Sequence, residues 1–177
     1  MNESRSIKNI LLTGPPGGGK TTVVKEAVGR LPCVAGGFFT SDIREKGVRQ
    51  GFKVESLDGR AGILAHVAIS GPHHVGKYGV NVADFERVGV DSLREAMNRK
   101  GVIVIDEIGR MELFSERFRS ELMRALDSDR PVLATIQQKR DPFLDAIRSR
   151  PDTLVLRVSR SNRSHVVEQL LAILSKM

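Results

Sequence analysis

Aromatic residues fill only 5% of the 177 positions, tryptophan is absent and tyrosine occurs once. That scarcity, with no aromatic RNA-binding motif present, argues against a nucleic-acid surface built on stacked rings. A single cysteine, Cys33, excludes an internal disulfide, and no histidine or second cysteine stands at ligand spacing from it. A reducing, cytoplasmic setting is therefore expected. No apolar run approaches the ~20 residues of a membrane helix, and Met1 to Lys8 are polar and charged, so neither a span nor a secretory leader is expected. Internal repeats and low-complexity tracts are missing as well. What remains, 40% apolar and 28% charged residues, describes a chain that buries an ordinary core as one domain over residues 1–177, with a monomer favoured. The net charge of +7 attracts anions such as nucleotides, RNA or acidic partners. Arg117, Arg119 and Arg124 are expected to coat a solvent-facing helix, and a nucleic-acid partner is left open without a motif to support it.

Asn9 to Thr13 is a short apolar run between charge and glycine, which predicts a buried strand, followed by a glycine-rich turn and a helix from about Lys20 to Arg30, ended by Pro32. Gly37 to Ile43 and Gly51 to Leu57 are expected to pair as a hairpin, with the polar Arg44 to Gln50 as a long loop between them. Gly62 to Ile69 extends that meander. Ser70 to Gly79, with Gly-Pro, two histidines and further glycines, is expected to be a mobile loop. From Val90 helix and strand alternate again: a helix to about Arg99, strand Val102 to Ile105, helix Ser115 to Leu126, strand Val132 to Ile136, then a helix capped by Asp141 with Pro142 in its first turn. Thr153 to Val158 is the last strand. The closing helix is capped by Ser161 or Asn162 and carries Val166, Val167, Leu170, Leu171 and Leu174 at helical spacing. The expected fold is α/β, a mostly parallel sheet with helices on both faces and an antiparallel insertion.

Gly14-Pro15-Pro16-Gly17-Gly18-Gly19-Lys20-Thr21 fits G-x-x-x-x-G-K-[ST], between a predicted strand and a predicted helix as its mechanics require. Glycines let backbone amides converge on phosphate oxygens, and the helix start adds partial positive charge at the same point. Lys20 brings a full charge to the β- and γ-oxygens, and Thr21 offers a hydroxyl to Mg2+. The nucleotide site is expected to include Thr22 and the second run, Val102-Ile103-Val104-Ile105-Asp106-Glu107-Ile108-Gly109. There a buried strand delivers Asp106 to the metal and Glu107 to an attacking water. Glu107 has a second reading, as a cap of the following turn or a partner of Arg110. Thr135 and Gln137, at the end of the strand Val132 to Ile136, are candidates to sense the γ-phosphate. Arg44, Arg110 and Arg163 are candidates to stabilise the transferring phosphoryl group, and each has the alternative of being merely solvated. His73 and His74 alone make no metal site, and Met111 and Phe114 read as packing residues.

Taken together, the sequence resembles the THEP1-type nucleoside-triphosphatases over nearly its whole length. The resemblance rests on Leu12 to Thr22, Gly37-Phe38-Phe39-Thr40, Gly51-Phe52-Lys53-Val54, Val75-Gly76-Lys77-Tyr78, Ile105 to Ser115 and Asn162-Arg163. It implies a small P-loop fold of the RecA-like kind, magnesium dependence and slow hydrolysis of ATP, GTP, CTP and UTP to diphosphate and phosphate. Two other classes stay open. A nucleotide, nucleoside or polynucleotide kinase would share the loop and use Gly71 to Tyr78 as a lid or acceptor site, although the Asp106-Glu107 pair favours water. A nucleotide switch or RNA-binding regulator is the third, but the Asn-Lys-x-Asp stretch of guanine-specific switches is absent.

Overall fold

The computed structural model describes residues 6–99 and 101–177, so Met1 to Arg5 of the polar leading stretch lie outside the described residues. In chain order the elements are β1 (Asn9–Thr13), α1 (Lys20–Arg30), β2 (Ala35–Glu45), β3 (Val48–Ser56), β4 (Ala61–His66), β5 (His74–Val75), β6 (Tyr78–Val80), α2 (Val82–Phe85), α3 (Asp91–Met97), β7 (Val102–Ile108), α4 (Glu116–Asp127), β8 (Val132–Ile136), α5 (Pro142–Arg148), β9 (Thr153–Arg157) and α6 (Arg163–Leu174). Among the described residues these strands form one sheet in the order β5-β6-β4-β3-β2-β7-β8-β1-β9. The run β2-β7-β8-β1-β9 is parallel. The run from β2 through β3, β4 and β6 to β5 is antiparallel. The fold is thus the expected α/β sheet with an antiparallel extension.

Alternation along each buried strand feeds two layers. Ile10, Leu12, Val102, Val104 and Leu133 face α1 and α6, where Val23, Val24, Ala27, Val166, Val167 and Leu170 close the layer. Leu11, Ile103, Ile105 and Ala134 point the other way, toward α2 to α5. That layer centres on Phe38, Phe85 and Phe118, packed edge to face with ring centroids 5.2 to 6.1 Å apart. Each buried ring contributes roughly 1.5–3 kcal/mol by leaving water.

Several expectations are corrected. Arg44 to Gln50 is no long loop: β2 and β3 pair up to Glu45 and Val48, and only Lys46 (φ 48) and Gly47 (φ 79) turn the chain. Positive φ at both positions is the two-residue turn that matches the twist of paired strands. Ser70 to Gly79 is not a free loop either, since His74 and Val75 pair with Gly79 and Tyr78 as a short hairpin on the sheet edge. Helical structure begins at Val82, earlier than Val90, and continues through a π-turn at Glu86–Val90 into α3. Of the three arginines on α4 only Arg124 is exposed. Arg117 pairs with Asp91, and Arg119 donates to Leu113 O at 2.8 Å while lying over the Phe143 ring. Asn162 occupies the start of α6 without capping a helix amide, because its side chain is tied back to Ser159 N and Arg157 O. Asp141 does cap α5, accepting from the amides of Phe143 and Leu144.

One feature of the fold shapes the site. Only Ala35 to Phe38 of β2 pair with β7, while Phe38 to Glu45 pair with β3. The β2–β3 ribbon therefore continues past the carboxyl edge of the parallel strands and walls one side of it.

Candidate active site

All five parallel strands end at the same edge, where open α/β sheets bind ligands. β1 leads into the loop Gly14–Gly19. Gly14 (φ 153) lies so close to the chain after β9 that a Cβ would fall 2.3 Å from Val158 O. Gly19 (φ 95) occupies the left-handed region immediately before α1, and a Cβ there would meet Arg163 Cδ at 2.5 Å. Neither position admits a side chain without strain. α1 has no acidic residue in its first turn and no side-chain cap, so its leading amides remain available to an anion. The Lys20 ammonium spans the loop, donating to Gly14 O at 3.0 Å and Pro15 O at 3.2 Å.

β8 lies between β1 and β7, and it positions the acids. Ile105 pairs with Ala134 and Ile108 with Ile136, so three steps on β7 oppose two on β8. This bulge frees Asp106 and Glu107 from strict alternation. Asp106, 1% exposed, accepts from Thr21 Oγ1 at 2.8 Å and from Thr135 Oγ1 at 2.5 Å. Glu107 accepts from Gln137 Nε2 at 2.9 Å, and Gln137 Oε1 in turn accepts from the Arg110 amide at 3.2 Å. Glu107 thus pairs with Gln137 and not with the Arg110 guanidinium.

Burial pushes the Asp106 carboxyl above the usual range, while the Thr135 and Thr21 hydroxyls and the Thr40 amide pull it back. Glu107 is raised for the same reason, opposed by its Gln137 hydrogen bond, raised further by the Asp106 charge and lowered by Lys20. Two desolvated acids side by side are costly unless positive charge joins them. Mg2+ fits here. Thr21 Oγ1 and Asp106 Oδ2 are hard oxygen donors 2.8 Å apart, close to the ~2.9 Å edge of an octahedron with ~2.05 Å bonds. Among the described residues no three His, Cys, Asp or Glu side chains cluster as a metal cage.

A cleft of about 560 Å³ runs from Pro16, Gly17 and Gly19 to Thr22, past Lys20, Asp106, Glu107 and Gln137, and reaches Arg163. Arg163 is brought into the site, whereas Arg44 and Arg110 are not. Arg44 is exposed near the hairpin turn, paired with Asp42 at 2.8 Å, and Arg110 places only its backbone amide near the acids. His73 stacks against Phe114, 4.6 Å between centroids, and His74 Nε2 contacts Gly71 O at 2.8 Å. Met111 packs against the core as expected and also lines the cleft.

The cleft also contains residues not assigned to the site from sequence, among them Thr40, Arg49 and Glu112. Thr40 lies on the overhanging part of β2, and Arg49 on β3 pairs with Asp42 at 3.0 Å. Glu112 is 4% exposed in the turn after β7. Burial raises its carboxyl well above the usual glutamate range, the Glu107 charge raises it further, and its own amide and that of Gly109 oppose. A lone acid inside Met111-Glu112-Leu113-Phe114 was the available signal for it.

A phosphate loop on β1, an acid pair two strands away on β7 and a polar strand end between them define a P-loop nucleotide-binding protein. The NTPase family profile matches residues 9–171, and the chain belongs to that family. It is similar to the nucleoside-triphosphatase THEP1 of Thermotoga sp. (strain RQ2), 46% identical over 165 residues, which cover 93% of this chain and 94% of the relative. Among solved structures, the crystal structure of THEP1 from the hyperthermophile Aquifex aeolicus superposes with a TM-score of 0.85 at 38% identity, over 94% of this chain and 98% of that one. The solution structure of a human cancer-related nucleoside triphosphatase gives 0.80 at 34% identity, over 96% and 98%. No helix among the described residues is long and apolar enough to cross a membrane.

Proposed function

We propose that the protein is a magnesium-dependent nucleoside-triphosphatase that hydrolyses ATP, GTP, CTP and UTP to diphosphate and phosphate. The names of its relatives support the reaction class. The observation that carries the reading is the division of labour at the end of β7. Asp106 is engaged by the Thr21 hydroxyl at 2.8 Å, while Glu107 lies in the cleft with its carboxylate held by Gln137 at 2.9 Å.

In this reading the amides of Gly17 to Thr22 and the Lys20 ammonium bind the β- and γ-phosphates, exchanging the Gly14 and Pro15 carbonyls for phosphate oxygens. Thr21 and Asp106 hold Mg2+, which when bound neutralises charge on the β- and γ-oxygens. Glu107, oriented by Gln137, accepts the proton of the attacking water. Thr135 fixes the second oxygen of Asp106. Arg163, packed on Gly19, adds positive charge to the phosphate chain. Broad base use follows from the loop, since its contacts are to phosphate alone. The whole of 1–177 works as one domain, as a cytoplasmic monomer.

The test is phosphate release from each of the four triphosphates, with magnesium and with excess EDTA. Release from all four, abolished by EDTA, is the expected result. Release from none removes the assignment, and release from one alone removes the broad specificity.

A further inference from the structure

The cleft is lined by residues of the β2–β3 ribbon, β4 and β5 as well as by the phosphate loop and the acids. In a loop of this pattern the lysine serves the β- and γ-phosphates and the helix continues toward the α-phosphate, so the nucleoside leaves past Thr22. A separate depression bounded by Thr22, Glu26, Arg160 and Ser164 lies on that side. The terminal phosphate points the opposite way, toward Asp106 and Glu107. The same cleft extends from Glu107 to residues of the β2–β3 ribbon, Thr40, Arg49 and Phe52 among them.

Its lining is unlike what water needs. Phe52, Leu64, Val75 and Met111 supply carbon surface from β3, β4, β5 and the turn after β7. The Phe52 face is set by Tyr78, 5.2 Å away edge to face, and by the Arg49 guanidinium 5.2 Å from its centroid. The end nearest the phosphate is oxygen-rich instead. Glu107 is joined there by Glu112, which has no cationic partner among the described residues and is 4% exposed. Val75 belongs to the histidine-bearing hairpin that closes the sheet edge, so that segment acquires a role in walling this chamber. Carboxyl oxygens beside the phosphate and carbon behind them are the complement of an organic molecule that leads with a hydroxyl.

We propose that the chamber beyond Glu107 is an acceptor site for a small hydroxyl-bearing organic molecule, to which the protein transfers the γ-phosphoryl group in competition with water. The inference rests on the triphosphate-binding reading above. The alcohol oxygen forms the new bond to the γ-phosphorus as the bond to the β-bridging oxygen breaks. The nucleoside diphosphate departs with that electron pair, and the hydroxyl proton passes to Glu107. The products are a phosphate monoester and the diphosphate. Glu107 serves both acceptors, because a base placed for water also serves an alcohol in the same position.

The test uses 1,2-propanediol and benzyl alcohol as probes, with magnesium and γ-labelled ATP, and separates labelled ester from labelled phosphate. The site predicts ester formation that saturates with alcohol and exceeds the alcohol-to-water molar ratio at least tenfold. Filling the chamber with Val75→Phe should lower the ester-to-phosphate ratio at least fivefold. Met111→Phe, from a different element, should do the same, and melting curves confirm that each variant is folded. An ester yield at or below the alcohol-to-water ratio overturns the proposal, as does a ratio indifferent to both obstructions in folded protein. Labelling of an oligoribonucleotide 5′-hydroxyl with neither small alcohol phosphorylated also overturns it. Phosphate release without transfer leaves hydrolysis standing and removes only the acceptor site; no release in water alone removes the hydrolysis reading itself.

Discussion

Thr135→Val removes one hydroxyl and preserves the shape of a fully buried side chain. That hydroxyl is 0% exposed and donates to Asp106 Oδ1 at 2.5 Å. A hydrogen bond to a charged acceptor is worth ~1.5–3 kcal/mol, and its loss leaves a buried carboxylate oxygen without that donor. For a domain of this size each kcal/mol moves the melting midpoint by ~2–4 °C. The variant should therefore melt roughly 3–12 °C lower in nucleotide-free buffer. The same bond fixes the carboxylate that, in the proposed function, shares a magnesium site with Thr21. Loss of such a support costs ~10–100-fold in metal affinity. Differential scanning fluorimetry gives the first number, and a magnesium titration of phosphate release at saturating ATP gives the second. Thr135→Ser, which keeps the donor, should retain most of both. A Thr135→Val protein with wild-type midpoint and wild-type half-saturation by magnesium would show that this hydroxyl supports neither the fold nor the metal site.

Glu112→Gln tests the buried acid through pH. A carboxyl raised by folding contributes stability that is complete below its unfolded pKa and is lost as pH rises through the folded one. With Glu112 raised well above the usual range, the variant should melt above wild type at pH 7.5, and the difference should vanish below about pH 4, under the ordinary glutamate value. Arg163→Ala should raise KM for MgATP roughly 10–100-fold, the worth of a charge-assisted phosphate contact, with a smaller effect on kcat. Arg44→Ala and Arg110→Ala, whose side chains lie outside the cleft, should leave kcat/KM within about twofold of wild type, because exposed arginine pairs contribute only ~0–1 kcal/mol.

The parts of the molecule that were legible in the sequence are those ruled by local spacing. The phosphate loop needs glycines at fixed offsets, and Gly14 and Gly19 do lie where a side chain collides. Buried parallel strands announce themselves as short apolar runs, and β1, β7 and β8 formed where those runs stand. The difficulties came from pairings between distant segments. The two-residue strand β5 is too short to carry a period, so its hairpin read as a loop. Lys46 gave no hint of a left-handed turn, because lysine is not a turn residue, and the paired strands impose that conformation. Arg49 stands 28 positions after Thr21, and only the overhang of the β2–β3 ribbon brings it to the same cleft. Arg44 and Arg49 look alike as sequence. They face each other across the ribbon and both pair with Asp42, but Arg44 also donates to Gly47 O at the turn while only Arg49 lines the cleft. Glu112 sits among packing residues, and its burial beside Glu107 became visible only once the turn after β7 folded back.

Hydrolysis by this site requires Glu107 to act in the chemical step while the phosphate loop does the binding. Single-turnover phosphate release from MgATP by Glu107→Gln, alongside its equilibrium affinity for the same nucleotide, measures the two separately. The variant should bind within about threefold of wild type and release phosphate at least ~100-fold more slowly, the range of a lost general base. Hydrolysis at the wild-type rate, or a loss accounted for entirely by weaker binding, would contradict it.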